Sequence, residues 1–376
     1  MLASRRLAAL LTAILVVAAA CSGTGTTSST PSAPAGAPAT AASTPAPTPM
    51  AAVTPAATPS ATPSPTPIAM LDGEPWIAYA WPRVGADGVW AIFLMRPDGS
   101  GAHEIAADVP GEHRLPAWSP DGKRLAFVVK DADHPEGSIW TVNADGSGAA
   151  LLSAGGSECP VGLFHPAWSP DGTKLAVVCY PGGEQEAIAV MDLATMSIRR
   201  LVTYTPPDHL DNPPTWSPDG STIAFDLQHW DAAGQSLDGT LVATVPVAGG
   251  EVQRLTSFDS FLSHPGWSPD GAELVVNSYD LGNILSTPNP SNLYAIKPDG
   301  TGLRQLTHSS TDGHMRIGGP RWDPSGSRIV VSILYTTGPD FEFGGNVRLA
   351  FVDAAGGEPV LISTMSGKAP DVRPTP

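Results

Sequence analysis

The chain has 376 residues, 36 of them Asp or Glu against 20 Lys or Arg, for a formal net charge of −16 at pH 7. Binding to nucleic acid needs a basic surface that neutralises phosphate, so this balance excludes that partner class and disfavours other acidic partners. Two domains would fit in this length, but a repeat fills nearly everything after residue 70 and leaves one folded unit.

At the start of the chain, Arg5 and Arg6 precede an apolar run from Leu7 to Val17 and then Ala18-Ala19-Ala20-Cys21. This is the three-part layout of a secretory signal, and it is too short to span a bilayer. A cysteine directly after small residues resembles the bacterial lipoprotein signal. That resemblance implies removal of residues 1–20, a lipid on the Cys21 thiol, and an exported protein anchored on the extracytoplasmic side of a membrane. Ala18 stands where the family usually has leucine, which keeps cleavage by an ordinary signal peptidase open. The Arg5-Arg6 pair also fits twin-arginine export, without the rest of that motif. Residues 21–69 are almost entirely Ser, Thr, Ala, Pro and Gly, with no charge. Such a composition cannot bury enough apolar surface to fold, and proline keeps it extended. It reads as a disordered tether that holds residues 70–376 away from the membrane.

Beyond the tether, Trp-Ser-Pro-Asp-Gly occurs at 118–122, 168–172, 216–220 and 267–271, and Trp-Asp-Pro-Ser-Gly at 322–326. The tryptophans are 50, 48, 51 and 55 residues apart, a period that points to propeller blades or another stacked repeat. Every unit starts with Pro-x-Trp, at Pro116, Pro166, Pro214, Pro265 and Pro320. Proline at the second place of Ser-Pro-Asp-Gly and glycine at the last are what a type I hairpin turn requires, so the aspartate is read as turn chemistry rather than as a ligand. β-Rich runs follow, as at 124–127 and 328–331, then third strands, as at 139–142 and 293–296, and in most units an Asp-Gly or Gly-Gly turn with a short fourth strand. The third strand occurs six times, which predicts an all-β, six-bladed β-propeller of four-stranded blades. The first unit, from Trp76, lacks its innermost strand. Pro370-Asp-Val372-Arg-Pro374 overlays Pro166-Ala-Trp168-Ser-Pro170, and Val372 lies 50 residues after Trp322. The C-terminal strand is therefore predicted to close the ring and remove a sheet edge, with residues 67–70 as the rival donor.

This pattern, over residues 70–376, resembles the TolB-type propeller repeat found in the periplasmic protein TolB and in propellers of prolyl oligopeptidase and dipeptidyl peptidase relatives. The resemblance implies a fold and little about activity, because function sits in sites placed on folds. TolB carries an additional N-terminal α/β domain where this chain has its tether, and the chain contains no Gly-x-Ser-x-Gly nucleophile elbow. The wider group of similar propellers includes pectin-fragment lyases with a manganese-type site.

Counting strand directions puts the Ser-Pro-Asp-Gly turns on one face and the blade starts and second-to-third loops on the other. His113, His165, His209, His264 and His314 each precede an inner-strand tryptophan by three to eight residues, an arrangement that would let them ring the mouth of the central channel. Converging imidazoles there would suit a divalent metal, while His165-Pro166 and His264-Pro265 also read as ordinary blade-start residues, so both readings stand. The long loops of the last three units add His229, Trp230, Tyr279, Asp280 and Phe341 to that face, either as a recognition surface or as a cap on the ring. Cys159 and Cys179, the even pair left in an exported protein, read as a disulfide or, for Cys179, as a buried small hydrophobe. The first function expected is that of a non-catalytic, membrane-tethered monomer of the cell envelope that needs no cofactor. It would bind a protein, peptide or glycan on the histidine-rich face. The alternative is a metal-dependent lyase acting on acidic sugars, with the channel-mouth histidines as ligands and Asp226 or Asp280 nearby.

Overall fold

The second strand of each repeat is apolar on both of its sides, as in the buried run from Leu125 to Val129, so both faces of its sheet must be covered. Six antiparallel sheets satisfy one another in this way. The computed structural model describes residues 76–374 apart from 84–87, 232, 235, 279–290, 309–314, 336–346 and 367. Blade 1 contains β1 (Ile77–Pro82), β2 (Trp90–Met95) and β3 (His103–Ile105), and blade 2 contains β4 (Glu112–Trp118), β5 (Arg124–Lys130), β6 (Ser138–Asn143) and β7 (Ala150–Ser153). Blade 3 is β8 (Gly162–Trp168), β9 (Lys174–Gly182), β10 (Gln185–Asp192) and β11 (Ile198–Tyr204). Blade 4 has a divided inner strand, β12 (Asp208–His209) and β13 (Thr215–Trp216), then β14 (Thr222–Trp230), β15 (Leu237–Pro246) and β16 (Gln253–Arg254). Blade 5 is β17 (Leu262–Trp267), β18 (Leu274–Ser278), β19 (Leu293–Ile296) and β20 (Arg304–Gln305). Blade 6 is β21 (Met315–Trp322), β22 (Arg328–Tyr335), β23 (Val347–Asp353) and β24 (Val360–Ser366), and the chain ends in β25 (Lys368–Val372).

The core is divided among the blade junctions. Leu125, Phe127 and Val129 of blade 2 pack on Trp76, Ala78, Ile92 and Leu94 of blade 1, while Ala126 and Val128 of the same strand pack on Leu163, Trp168 and Val177 of blade 3. Ile77, Tyr79 and Met95 of blade 1 meet Val330 and Leu349 of blade 6. Each such side chain contributes about 1.5–3 kcal/mol when fully buried.

The repeated turn is built alike in blades 2 to 5. Ser119 Oγ donates to Asp121 Oδ1 at 2.6 Å, the amide of Lys123 donates to the same oxygen at 3.1 Å, and the amide of Arg124 donates to Ser119 Oγ at 2.9 Å. Ser169 and Asp171, Ser217 and Asp219, and Ser268 and Asp270 repeat the first contact at 2.5–2.6 Å. In blade 6 the roles are exchanged, with Asp323 accepting from the Ser325 hydroxyl. Between blades, the indole of Trp168 donates to the carbonyl of Ala117 at 3.1 Å, and that of Trp216 to Ala167 at 2.9 Å.

Ring closure comes from the C-terminus. β25 pairs with β1 through Ile77–Val372, Ala78–Asp371 and Ala80–Lys368, and the amide of Arg373 extends the pairing to the Trp76 carbonyl at 2.7 Å. Two side chains then carry the closing strand on to blade 2. Asp371 Oδ2 accepts the Trp118 amide at 2.7 Å, and Arg373 Nε donates to the Gly122 carbonyl at 2.7 Å. Gly122 is required there, because at φ +64° a Cβ would lie 2.9 Å from both Arg373 Nε and the Pro374 carbonyl oxygen.

Deleting residues 367–376 is expected to lower the melting temperature by more than about 10 °C or to abolish cooperative unfolding, measured by calorimetry; an unchanged melt would show that β25 does not close the ring. Gly122→Ala should destabilise by about 1–2 kcal/mol, read from the denaturant midpoint.

Candidate functional site

The inner strands slip register at one common place, between Arg114 and Ala117, Phe164 and Ala167, Ser263 and Gly266, and Gly318 and Arg321. The residue before the proline, Leu115, His165, His264 or Gly319, has φ between 52 and 58°, a left-handed conformation that residues other than glycine rarely hold. A bulge of this kind re-aims the side chain it carries. Here it turns His165 and His264 inward. His165 of blade 3 is an electrostatic neighbour of His264 in blade 5 and Arg321 in blade 6. Arg321 in turn is drawn to Asp371 in blade 1 and Asp226 in blade 4. Groups from so many blades come together only along the ring axis. Burial, reinforced by the Arg321 charge, pulls both His165 and His264 down to about 3, which leaves both imidazoles neutral at physiological pH.

Blade 4 supplies the acidic member. Its inner strand breaks over Leu210-Asp211-Asn212-Pro213-Pro214, because consecutive prolines cannot donate to the ladder. β14 pairs with His209 at Gln228 and with Thr215 at Ala224, so Asp226 stands opposite the break. It is 1% exposed. Its Oδ2 accepts the Asn212 side-chain amide at 2.7 Å, while Oδ1 completes no hydrogen bond. Burial, aided by the nearby Asp211 carboxylate, pushes Asp226 up to about 7 against the opposing pull of Asn212 and the His264 amide. The same register position is Asn277 in blade 5 and Ser332 in blade 6, each with a buried side-chain oxygen that lacks a hydrogen bond, whereas blades 1, 2 and 3 have Ala80, Val128 and Val178. One half of the ring is thus polar where the other is apolar.

The five histidines expected at the channel mouth do not share one place. His165 and His264 meet on the axis. His113 lies two register positions before the bulge, opposite Val129, and is fully buried between blades 1 and 2. Its Nε2–H donates to the Val109 carbonyl at 2.9 Å, its ring meets Phe127 at 5.4 Å, and burial together with the Arg83 charge pulls it down to about 4. His209 is buried beside Glu186, Nδ1 to Oε1 at 3.2 Å, and the amide of Leu210 donates to the same carboxylate at 2.5 Å, fastening blade 4 to blade 3. His314, Tyr279, Asp280, Phe341 and Cys21 fall outside the described residues. Among the described residues no three of His, Cys, Asp and Glu gather as a metal-ligand set.

Trp230, half-buried at the end of β14, donates its indole N–H to Gln228 Oε1 at 3.2 Å. Beside it His229 Nδ1 and Asp208 Oδ1 are 2.6 Å apart. Cys159 and Cys179 are joined, with an S–S distance of 2.01 Å and Cα atoms 5.4 Å apart, and both are completely buried. Arg321, Asp371, Asn212 and Asn277 were not singled out as site residues from sequence. Pro213-Pro214 was the available signal for the broken strand, and aligning the second strands would have shown Asp226, Asn277 and Ser332 in one column. A depression on the opposite face, between the turns of blades 3 and 4, is lined by Asp171, Lys174, Trp216 and Asp219 and contains none of the axial groups.

Residues 156–371 match the family model described as the TolB beta propeller domain. Among solved structures, TolB from Acinetobacter baumannii aligns with a TM-score of 0.58 at 19% identity, covering 80% of this chain and 67% of that one. A TolB-type protein from Agrobacterium tumefaciens aligns with a TM-score of 0.54 at 20% identity, covering 77% and 88%. A curated relative, the uncharacterized peptidase YuxL of Bacillus subtilis (strain 168), is 26% identical over 164 residues, which is 37% of this chain and 24% of the relative. The chain thus spans about a quarter of that relative's length.

Because Asp226 titrates at about 7 in the folded state against 3.8 ordinarily, the native protein keeps a proton that the unfolded chain releases, and stability falls as pH rises through that window. Asp226→Asn should therefore stabilise by about 4 kcal/mol at pH 8 and by less than about 1 kcal/mol at pH 4, measured by denaturant unfolding at both values. The neutral His113, His165 and His264 act in the opposite sense. Their folded values of about 4, 3 and 3 lie below 6.5, so the Asp226→Asn variant should lose stability steadily from pH 6.5 to 4.

Proposed function

Because the chain belongs to the TolB β-propeller domain family, we propose that it is a non-catalytic propeller of the cell envelope, tethered through a lipid on Cys21, that binds a protein, peptide or glycan. The binding face is the one formed by the blade starts and the second-to-third loops. The observation that carries this reading is the asymmetry of the ring axis. A propeller that serves only as a scaffold has no use for His165 on blade 3 and Asp226 on blade 4, whose Nδ1 and Oδ1 are buried without a hydrogen bond, since buried polar groups with incomplete hydrogen bonding cost stability. Beside them, the end of β14 carries Trp230 and His229, the latter paired with Asp208 of β12, all three half-buried. Aromatic rings with an oriented polar neighbour are a frequent form of recognition surface. The disulfide between Cys159 and Cys179 agrees with an oxidising compartment.

Two measurements test this. A chemically tagged fatty acid fed to producing cells should label the full chain and keep it with membranes, and Cys21→Ser should lose both label and sedimentation; label retained by the variant would refute the anchor. A photo-crosslinking residue at Trp230 should capture a discrete partner, whereas one at Leu151 on an outer edge should capture none. Equal capture from both positions, or none from either, would remove the loop face as the binding face.

A further inference from the structure

The tryptophans that end the inner strands lie on the turn face, and two of them carry a cation from their own chain. The Arg124 guanidinium of blade 2 sits over the Trp168 ring of blade 3, 5.0 Å from its centre, and Arg373 sits over Trp118 at 5.8 Å. The next junction repeats the first arrangement with one exchange. Lys174 opens β9 as Arg124 opens β5, and Trp216 ends the inner strand of blade 4 as Trp168 ends that of blade 3. Among the described residues no cation lies over Trp216. The Lys174 ammonium donates to the Thr173 hydroxyl at 3.1 Å and is drawn to Asp171 and Asp192. What this junction holds is the depression noted above, of about 370 Å³, with Trp216, Pro170 and Pro218 as its apolar lining and Asp171, Asp219 and Lys174 as its charged lining. Both carboxylates are exposed, ionised and fixed in place. The Ser169 hydroxyl and the amide and hydroxyl of Thr173 all donate to Asp171 Oδ1 and pull the group down to about 2, and among the described residues no donor reaches its Oδ2. Asp219 is likewise held below the usual carboxylate range, by the Ser217 hydroxyl and then by Ser221. The Trp216 ring is fixed by its indole bond to the Ala167 carbonyl at 2.9 Å.

We infer that this depression is a docking pocket for an arginine side chain of a protein partner, its guanidinium lying against Trp216 as Arg124 lies against Trp168 and pairing with Asp171 and Asp219 at the rim. A guanidinium offers a flat, weakly hydrated face to the ring and a fork of donors to the carboxylates, whereas an ammonium is compact and strongly hydrated. Trp216 is 7% exposed, so the guanidinium meets the ring at its open margin and displaces no packed side chain. A chain with a net charge of −16 also draws a basic partner. Lys174 is the one like charge in the lining, and its attraction to Asp171 and Asp192 offsets that repulsion. The pocket is on the face opposite the blade starts and long loops, so it is a second contact surface and does not depend on the binding role proposed above.

The test is an NMR titration of the isotope-labelled full chain with the tripeptide acetyl-Gly-Arg-Gly-amide at low salt, following the indole N–H signals, those of Trp216 and Trp230 being identified by Trp216→Phe and Trp230→Phe. The expected result is a saturable shift of the Trp216 signal with that of Trp230 unmoved, and an affinity that falls several-fold when salt is raised to about 0.5 M, because the carboxylates are exposed. The citrulline tripeptide, of the same shape without the charge, should bind about tenfold more weakly, and the lysine tripeptide about threefold more weakly. Asp219→Asn keeps the oxygen that the turn uses and removes the charge, and should weaken binding about threefold. Lys174→Arg should rebuild the arrangement of Arg124 on Trp168, fill the pocket from within and abolish the shift without lowering the melting temperature. Lys174→Gln, which touches no hydrogen bond of the turn, should instead tighten binding. No shift at Trp216, equal binding of the citrulline or lysine tripeptide, full binding to the Lys174→Arg variant, or weaker binding to Lys174→Gln would each overturn the pocket. Failure of capture from Trp230 would remove the loop-face reading and leave this one standing, since the two faces are read by separate signals.

Discussion

Every blade of this protein hides both of its faces against neighbours, and no blade has a face that water could cover at small cost. Ala126 and Val128 look one way from β5, and Leu125, Phe127 and Val129 look the other, into two separate clusters. A stack of such sheets is stable only when it has no ends. The six junctions, the stacked turns and the pairing of β25 with β1 all follow from that requirement. The closing strand contributes three residue pairs to the ladder, but through Asp371 and Arg373 it also holds blade 2, so blades 1 and 6 are fastened across a third element.

Most of the fold was legible because its signals are local. A Ser-Pro-Asp-Gly turn is specified by proline's fixed φ, glycine's freedom and a hydroxyl–carboxylate contact within three residues, and none of these depends on distant parts of the chain. The exchanged Asp323 and Ser325 keep the same contact with donor and acceptor reversed, which explains why the fifth turn varies in sequence and not in shape. The closing strand was legible through the period alone, although it lacks the tryptophan.

The axial site was only partly legible, for a geometric reason. His113 and His165 look alike in the sequence, five and three residues before a tryptophan. In a bulged strand, however, two residues separate a side chain sealed between blades from one turned to the axis. Spacing to the tryptophan separates the two only once the bulge is known to sit at the residue before the proline, three positions ahead of the tryptophan, and the repeat pattern by itself does not announce a bulge there. Asp226 was noticed as a loop neighbour, whereas it lies inside a strand at 1% exposure. Its character comes from what the opposite strand fails to provide, a property of two segments ten or more residues apart. The polar half of the ring, Asp226, Asn277 and Ser332, stands in the column that Ala80, Val128 and Val178 fill on the other half. Membership of the TolB propeller family explains the shared architecture, and this column is where the blades of the chain differ from one another in polarity.

Closure by the last strand also orders events in time. A chain synthesised from its N-terminus presents β1 before the other blades, and the residues that will cover its inner edge appear nearly three hundred positions later. Until then Ile77–Pro82 is an apolar strand with unpaired amides and carbonyls along one side. Blades 2 to 5 can pack as they emerge, since each finds its neighbour next in sequence, but blade 1 waits for residues 368–372. The first blade to be made is the last to be finished, so the exposed edge of β1 is the surface through which a nascent chain would pair wrongly with another copy, and any helper that shields the unfinished protein has its natural foothold there.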